Sequence, residues 1–155
     1  MDGQGLMVLL SSVAFWLLAS LLVGLVANRL PERWLQGREA SGVVRRRWPS
    51  TPGPSAVRIW KRWIPDAGGV LPGGVRKASL VRRDPEALRR LVLETRRAEL
   101  VHWALWPAAL LTALWLPPPA LLVNLAFACL FNLPCLRVQR YNRWRLLRCL
   151  DRMQA

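Results

Sequence analysis

Apolar residues along the chain gather in long runs, which strongly charged segments separate. Residues 5–27 contain no charged side chain, and residues 103–136 contain none either. Each run is longer than a buried helix of a soluble protein needs, and each provides the roughly 20 residues required to cross a bilayer as a helix. The pattern therefore predicts an all-α integral membrane protein.

Prolines divide the second apolar run into two parts. Pro117, Pro118 and Pro119 follow one another in its middle, and three consecutive prolines cannot continue a helix. We therefore predict three transmembrane segments and one turn: residues 5–27 form the first span, an amphipathic helix over residues 85–116 continues into the second, residues 117–119 turn, and residues 120–136 form the third.

The distribution of charge predicts the orientation of these spans in the membrane. Residues 29–97 contain 17 Lys and Arg against 6 Asp and Glu, an excess of 11. Basic loops favour the cytoplasmic side, so the N-terminus is predicted outside and the basic tail, residues 137–155, inside. Residues 1–4 carry only Asp2 and lack the basic leader of a secretory signal. We therefore expect the first span to be retained.

Residues 28–84 are predicted to form a basic cytoplasmic connector. Its part from 37 to 57 is rich in Gly, Ser, Pro and Arg and has no helical or strand period, which indicates a segment lying against anionic headgroups. Two glycine pairs then flank Pro72 and are followed by Arg76 and Lys77. Such a glycine-rich loop can cradle a phosphate with backbone amides, although it lacks the Gly-Lys-Ser/Thr triplet of a nucleotide P-loop.

A helix starting after Asp84 joins the basic connector to the second span. Asp84 and Pro85 are a good N-cap and first-turn pair, and no further proline occurs before Pro107. Within this helix the chain's only histidine, His102, lies three residues after Glu99 and therefore on the same face. The pair is predicted where the basic segment meets the apolar one.

The types of residue in this pair suggest a catalytic base. A carboxylate at Glu99 can fix the tautomer of the His102 imidazole and raise its basicity, so that the other ring nitrogen takes a proton from an alcohol. The alternative is an interfacial histidine that only caps a cluster of charges. Glu94 lies about 140° round the helix from Glu99, so we expect it to pair with an arginine, such as one from the C-terminal tail.

Two asparagines interrupt the apolar third span. An unpaired amide at Asn132 would cost about 1 to 3 kcal/mol, so it should bond to a neighbouring helix or line a polar cavity. Asn124 raises the same question. Hydrogen bonding between helices and contact with a substrate both remain open at these positions.

Two other polar features near the end of the third span can each be interpreted in two ways. Cys135 could form an acyl thioester, or it could fill space beside Pro134. The stretch QRYNRWR, residues 139–145, could bind the phosphates of an acyl donor or lie on anionic lipid. Three cysteines and one histidine provide neither a disulfide framework nor a metal-binding spacing, so no metal is expected. The basic residues flank membrane spans, which disfavours nucleic acid as a partner.

Several of these stretches together resemble one known family. The matching residues are Trp60 with Lys61, the pattern IP..GG at Ile64 to Gly69, Lys77, the pattern ET.RAE..HW at Glu94 to Trp103, and the pattern N.PC...QRYNR at Asn132 to Arg143. Over about residues 58–146 the chain resembles the glycosyl-4,4'-diaponeurosporenoate acyltransferases of staphyloxanthin-type carotenoid biosynthesis. The last two patterns are the specific part of the resemblance.

The resemblance implies a multi-pass enzyme of the cell membrane that esterifies a fatty acyl group onto a sugar hydroxyl of a glycosylated apocarotenoid. It implies His102 as the base with help from Glu99, and an acyl-CoA or acyl carrier protein as co-substrate, with no bound cofactor. The implied partners are the lipid-soluble glycosylated carotenoid, the acyl donor, membrane lipids and other enzymes of the carotenoid pathway. The implied substrate-binding residues are Lys77, Glu94, Asn132, Gln139, Arg140, Asn142 and Arg143.

The sequence leaves two functional alternatives open. One is a non-enzymatic, small basic membrane protein that binds anionic lipid or stabilises a partner complex. The other is an acyltransferase that acts on a different lipid alcohol. The wider acyltransferase pattern of His with Asp five positions later is absent, because Pro107 stands there. Replacement of His102 should separate the enzyme from the scaffold.

Overall fold

The computed structural model describes residues 3–36, 57, 59 and 84–154, and all regular structure among them is helical. The helices are α1 (Gly3–Asn28), α2 (Glu32–Leu35), α3 (Pro85–Leu111) and α4 (Pro118–Gln154), with a 3₁₀ turn at Thr112–Leu114 between α3 and α4. The predicted all-α class is confirmed. Apart from Val57 and Ile59, the connector from residue 37 to 83, which includes the glycine-rich loop and Lys77, lies outside the described residues.

Two of these helices, α1 and α4, are long and apolar enough to cross a membrane. Most of the large apolar side chains of α1 are exposed on the protein surface, while Gly24 and Ala27 are buried. An exposed apolar surface of this extent is typical of a face covered by lipid. Membrane association follows from these helices, and the number of crossings stays a prediction.

The start of α3 is the one predicted from the sequence. The Oδ1 atom of Asp84 accepts a hydrogen bond from the backbone N–H of Ala87 at 2.7 Å, and Pro85 is the first helical residue. The cap satisfies an N–H group that has no partner within the helix. The helix ends at Leu111, five residues before the predicted end, because the chain tightens into the 3₁₀ turn that leads to α4.

The prolines have a different effect on α4 from the one expected. Pro118 and Pro119 already belong to the first turn of α4, where a missing N–H costs no intrahelical bond. The helix then passes through Pro134 and continues to Gln154, whereas the apolar third span was expected to break after Leu136. One internal proline removes a single backbone bond, and neighbouring helices can offset that loss in a packed membrane protein.

α3 and α4 form an antiparallel hairpin, and α1 and α2 lie against α3. A chain of hydrogen bonds joins α1 to the hairpin near its turn. The indole N–H of Trp16 donates to Asn124 Oδ1 at 2.6 Å, and Asn124 Nδ2 donates to Thr112 Oγ1 at 2.7 Å. Asn124 is thus bonded between helices, which is one of the two roles that its sequence position left open.

Aromatic rings add apolar contacts beside this hydrogen-bonded chain. The ring of Phe15 lies 5.2 Å from that of Trp115, and the ring of Trp16 lies 5.5 Å from that of Phe127, between ring centroids. Edge-to-face and tilted rings at these separations attract one another beyond the effect of burial alone. The middle of α1 is therefore held against the turn end of the hairpin by both polar and aromatic contacts.

Candidate active site

The antiparallel hairpin brings the two specific sequence patterns together. Because the two helices run in opposite directions, the residues that follow 94 along α3 face the residues that precede 143 along α4. As a result Glu99 faces Arg140 and Arg143, and His102 faces Asn132. Side chains 30 to 44 positions apart in the sequence therefore meet in one layer of the fold, which is the candidate site.

Glu99 forms an ion-pair clamp between the two helices. Its Oε1 atom accepts a hydrogen bond from Arg140 Nε at 2.6 Å, and its Oε2 atom lies 2.6 Å from Arg143 Nη2. The side chains of Glu99 and Arg143 are 13% and 9% exposed, whereas that of Arg140 is 45% exposed. Charge-assisted bonds of this kind are stronger than neutral ones, and most strongly so where water is excluded.

The charge of Glu99 is stabilised by this clamp. Burial by itself would raise the pKa of the Glu99 carboxyl, but the hydrogen bond from Arg140 and the positive charge of Arg143 outweigh burial. The pKa of Glu99 therefore lies below its ordinary value, and the group is ionised at neutral pH. Glu99 precedes the charge-free run that starts at Trp103, so the clamp belongs to the polar end of the hairpin.

His102 lies one helical turn nearer the apolar run than Glu99. Its Nδ1 atom is 2.9 Å from Asn132 Oδ1, and Asn132 Nδ2 donates to the backbone carbonyl of Ala128 at 2.8 Å. The i,i+3 spacing on α3 predicted that Glu99 orients the imidazole. In the structure both carboxylate oxygens of Glu99 contact arginines. Asn132 lies at His102 Nδ1, because the register of the two helices brings that amide opposite the ring.

Two tryptophans complete this part of α3. The guanidinium carbon of Arg140 lies 5.9 Å from the centroid of the Trp103 ring, a cation–π distance. Trp106 follows one turn later, with its ring centroid 5.7 Å from that of Trp103. Its Nε1 atom is buried and has no hydrogen-bond partner among the described residues. The sequence gives no signal of a chemical role for either indole, since tryptophan is common at membrane interfaces.

Glu94 is not part of the clamp. Its carboxylate pairs with Arg97, three residues later on the same helix, and not with an arginine of the C-terminal tail. The i,i+3 spacing places these two side chains together on α3 without help from another element. A substrate contact for Glu94 stays a prediction.

The remaining predicted binding residues lie on the polar half of α4. Gln139, Asn142 and Arg143 are buried, although this half of the helix is strongly charged. Val57 packs against Val138 and Tyr141 on this same half of α4. The candidate site is therefore built from both helices of the hairpin, and Val57 lies beside it.

Beyond the clamp, arginines of α4 stack on their own helix. Arg145 lies 6.0 Å from the ring centroid of Tyr141, and Arg148 lies 5.0 Å from that of Trp144. Within the described part of the chain, no three His, Cys, Asp or Glu side chains are grouped to hold a metal ion. Cys129, Cys135 and Cys149 form no disulfide bond in the described part of the chain, and Cys149 is exposed. A thioester at Cys135 stays a hypothesis.

Comparison with known proteins gives one consistent result. The family model described as "Glycosyl-4,4'-diaponeurosporenoate acyltransferase" matches residues 56–152. The protein of that name from Staphylococcus aureus strain USA300 is 26% identical over 147 residues, which cover 88% of this chain and 84% of the relative. Those of strains Newman and MRSA252 are also 26% identical, with the same coverage. No solved structure matches.

Proposed function

Because the chain belongs to the glycosyl-4,4'-diaponeurosporenoate acyltransferase family and is thus an acyltransferase of carotenoid biosynthesis, we propose that it esterifies a fatty acyl group onto a sugar hydroxyl of a glycosylated apocarotenoid. The acyl donor in this proposal is a thioester, either acyl-CoA or an acyl carrier protein. Both partners combine an apolar chain with a polar head, so a site between a charged and an apolar segment suits them.

The observation that carries the proposal is the contact between His102 and Asn132 at the boundary of the charge-free run. In the proposed step His102 takes the proton of the sugar hydroxyl, and the hydroxyl oxygen attacks the thioester carbonyl. The new C–O bond forms in this attack and gives a tetrahedral intermediate, and the C–S bond breaks when that intermediate collapses. The leaving thiolate receives the proton from the imidazolium, so the base returns to its neutral form.

Positive charge and hydrogen-bond donors around His102 have defined tasks in this proposal. Arg140, which is half exposed, binds the phosphates of the donor, and the buried Arg143 holds Glu99 and thereby the two helices. The indole N–H of Trp106 is a donor for the oxyanion of the tetrahedral intermediate, since a buried donor without a protein partner is costly unless a ligand satisfies it. Gln139, Asn142 and Glu94 contact the sugar, and the loop with Lys77 covers the polar heads.

The proposed topology has three crossings, with the N-terminus outside and the C-terminus in the cytoplasm. The second crossing is the charge-free end of α3, which follows His102. The polar start of α3 and the polar end of α4 lie at one end of the hairpin, opposite a turn without charges. A water-borne donor would then reach the site from the cytoplasm while the lipid acceptor arrives within the bilayer.

The test is ester formation by the purified full chain in liposomes that contain a glycosylated apocarotenoid, with radiolabelled acyl-CoA added outside. The wild type should produce a labelled carotenoid ester. His102→Ala should reduce the rate by roughly 10²-fold or more, the contribution expected of a general base, while size-exclusion chromatography shows the same monodisperse protein. Labelled ester formed at the wild-type rate by this variant would overturn the assignment of His102.

The same assay distinguishes the non-enzymatic alternative, which the family match does not favour. A lipid-binding scaffold would tolerate His102→Ala and respond to loss of charge at Arg45, Arg46 and Arg47. An acyltransferase for another lipid alcohol would be revealed if a glycosylated diacylglycerol were acylated faster than the carotenoid.

A further inference from the structure

Asn132 has an amide orientation that its two hydrogen-bond partners determine. Its Nδ2 atom lies 2.8 Å from the carbonyl oxygen of Ala128, and its Oδ1 atom lies 2.9 Å from His102 Nδ1. A backbone carbonyl only accepts hydrogen bonds, so the end of the amide that faces Ala128 must be the NH₂ group. The end that faces the imidazole is therefore the oxygen.

An amide oxygen carries no proton, so it attracts Nδ1 only when that nitrogen is protonated. In a neutral imidazole a proton on Nδ1 leaves the lone pair on Nε2. The bond is shielded from water, since the Asn132 side chain is almost fully buried with 3% of the residue exposed. Reversing the tautomer would set a nitrogen lone pair against the amide oxygen and leave a buried acceptor unsatisfied, at a cost of about 1 to 3 kcal/mol.

We propose that Asn132 is a positioning residue that holds His102 in the Nδ1–H tautomer, so that Nε2 is the nitrogen that removes the proton of the acceptor hydroxyl. The inference rests on the proposed function of His102 as the base. It changes the assignment of Asn132 from a substrate contact to a residue that acts through the histidine. It also leaves Glu99 with a separate task, which is to hold Arg140 and Arg143.

The chain itself offers an unambiguous readout of the tautomer. His102 is the only histidine, so growth on ¹⁵N-labelled histidine gives one imidazole in the nitrogen NMR spectrum of the full-length protein in nanodiscs. At a pH where the ring is neutral, Nδ1 should show the protonated, pyrrole-type resonance and Nε2 the unprotonated, pyridine-type resonance. The reverse pattern in the wild type would overturn the proposal, whatever the activity.

Variants link the tautomer to the reaction. Asn132→Ala removes the acceptor, so we expect a mixture of the two tautomers and a fall in kcat of roughly 10²-fold with little change in KM. Asn132→Asp keeps an oxygen opposite Nδ1 and should retain the Nδ1–H tautomer, with kcat within about tenfold of the wild type. Equal loss of kcat in both variants, with the tautomer unchanged in both, would contradict a positioning role.

Asn124→Ala is the matched control. Asn124 is also a buried asparagine of α4, two turns away, but it bonds to Trp16 and Thr112 and not to His102. It should lose similar stability without any change in the tautomer. The two proposals fail in different ways: an Nε2–H tautomer refutes the inference about Asn132, whereas wild-type activity in His102→Ala refutes the proposed function.

Discussion

At the scale of single residues, the Glu99 clamp is a charged contact that joins α3 to α4. Glu99→Gln keeps the shape of the side chain but removes the charge that Arg140 and Arg143 share. Hydrogen bonds to charged groups contribute about 1.5 to 3 kcal/mol, and the exposure of Arg140 reduces its share. We therefore expect a loss of about 2 kcal/mol in the free energy of unfolding, measured by denaturant titration of the purified protein in mixed micelles.

Glu94→Gln is the control for this variant. Glu94 pairs only with Arg97 of its own helix among the contacts that the structure shows for it, so its loss should leave the interface between α3 and α4 intact and cost well under 1 kcal/mol. Equal destabilisation by the two variants would mean that the clamp does not join the helices as described.

The lowered pKa of Glu99 predicts how stability depends on pH. An unfolded glutamate has a pKa of about 4.3. Because the folded value is lower, the contribution of this group is complete above about pH 4.3 and is lost as the pH falls through the folded pKa. The difference in Tm between the wild type and Glu99→Gln should thus be constant from pH 7 to 5 and shrink below about pH 4. A difference that grows on acidification would contradict the assigned direction.

The sequence predicted that certain polar residues need partners better than it predicted which partners they have. Asn132 was expected to need a partner because a buried amide in an apolar run is costly, and it has one in His102. The i,i+3 spacing predicted Glu99 as the partner of His102, since spacing within one helix contains no information about a second helix. Arginines of α4 contact both carboxylate oxygens of Glu99, and only the register between α3 and α4 reveals this.

At the scale of elements, the hydrogen bond between Trp16 and Asn124 fastens α1 to the hairpin. Trp16→Phe removes the indole N–H and leaves Asn124 Oδ1 without that donor. Polar bonds between membrane helices contribute about 0.6 kcal/mol on average and up to about 1.7. We expect a loss of about 1 kcal/mol in unfolding experiments in bicelles, together with faster proteolysis of the segment that follows α1.

Trp34→Phe is the control for this element, because Trp34 is 70% exposed. It should leave both stability and proteolysis unchanged. If Trp16→Phe behaved like Trp34→Phe, the polar contact would contribute nothing measurable, and α1 would be held by its aromatic and apolar contacts alone.

The start of α3 could be predicted from a local signal, but the end of α4 could not. Asp84 and Pro85 define the start of α3 because a cap acts within four residues. The end of the apolar part of α4 was placed at Leu136, since proline and a change of composition usually stop a helix there. Packing against α3 and a run of good helix formers continue it to Gln154. No partner was predicted for Trp16, because the sequence does not show which side chain an indole in an apolar run contacts.

At the scale of the whole molecule, the proposed topology can be tested with a cysteine that the chain already has. Cys149 is an exposed thiol on the basic half of α4. In a Cys129→Ala, Cys135→Ala background, a membrane-impermeant maleimide should label Cys149 in inverted membrane vesicles and not in intact cells. Permeabilised cells provide the control. Labelling in intact cells would place the C-terminus outside and refute the orientation.

The charge asymmetry that predicts this orientation is a property of the entire chain, whereas the site depends on a single pair of helices. Composition was therefore sufficient to predict membrane association, and the two apolar helices bear it out. The placement of Lys77 and its glycine-rich loop depends on contacts over long sequence distances, and that segment lies outside the described residues. Its task in the reaction stays a prediction.

Pro134 divides α4 between Asn132 and Arg140. Without an N–H at this position, the carbonyl four residues earlier has no helical donor, and the helix resists bending least at this point. Because Glu99 holds Arg140 and Arg143 against α3, ion pairs on one side of the proline oppose a bend at this point. The contact of Asn132 with the imidazole lies on the other side. In the proposed reaction, a donor phosphate that draws Arg140 away from Glu99 therefore weakens the restraint on this hinge without displacing the asparagine.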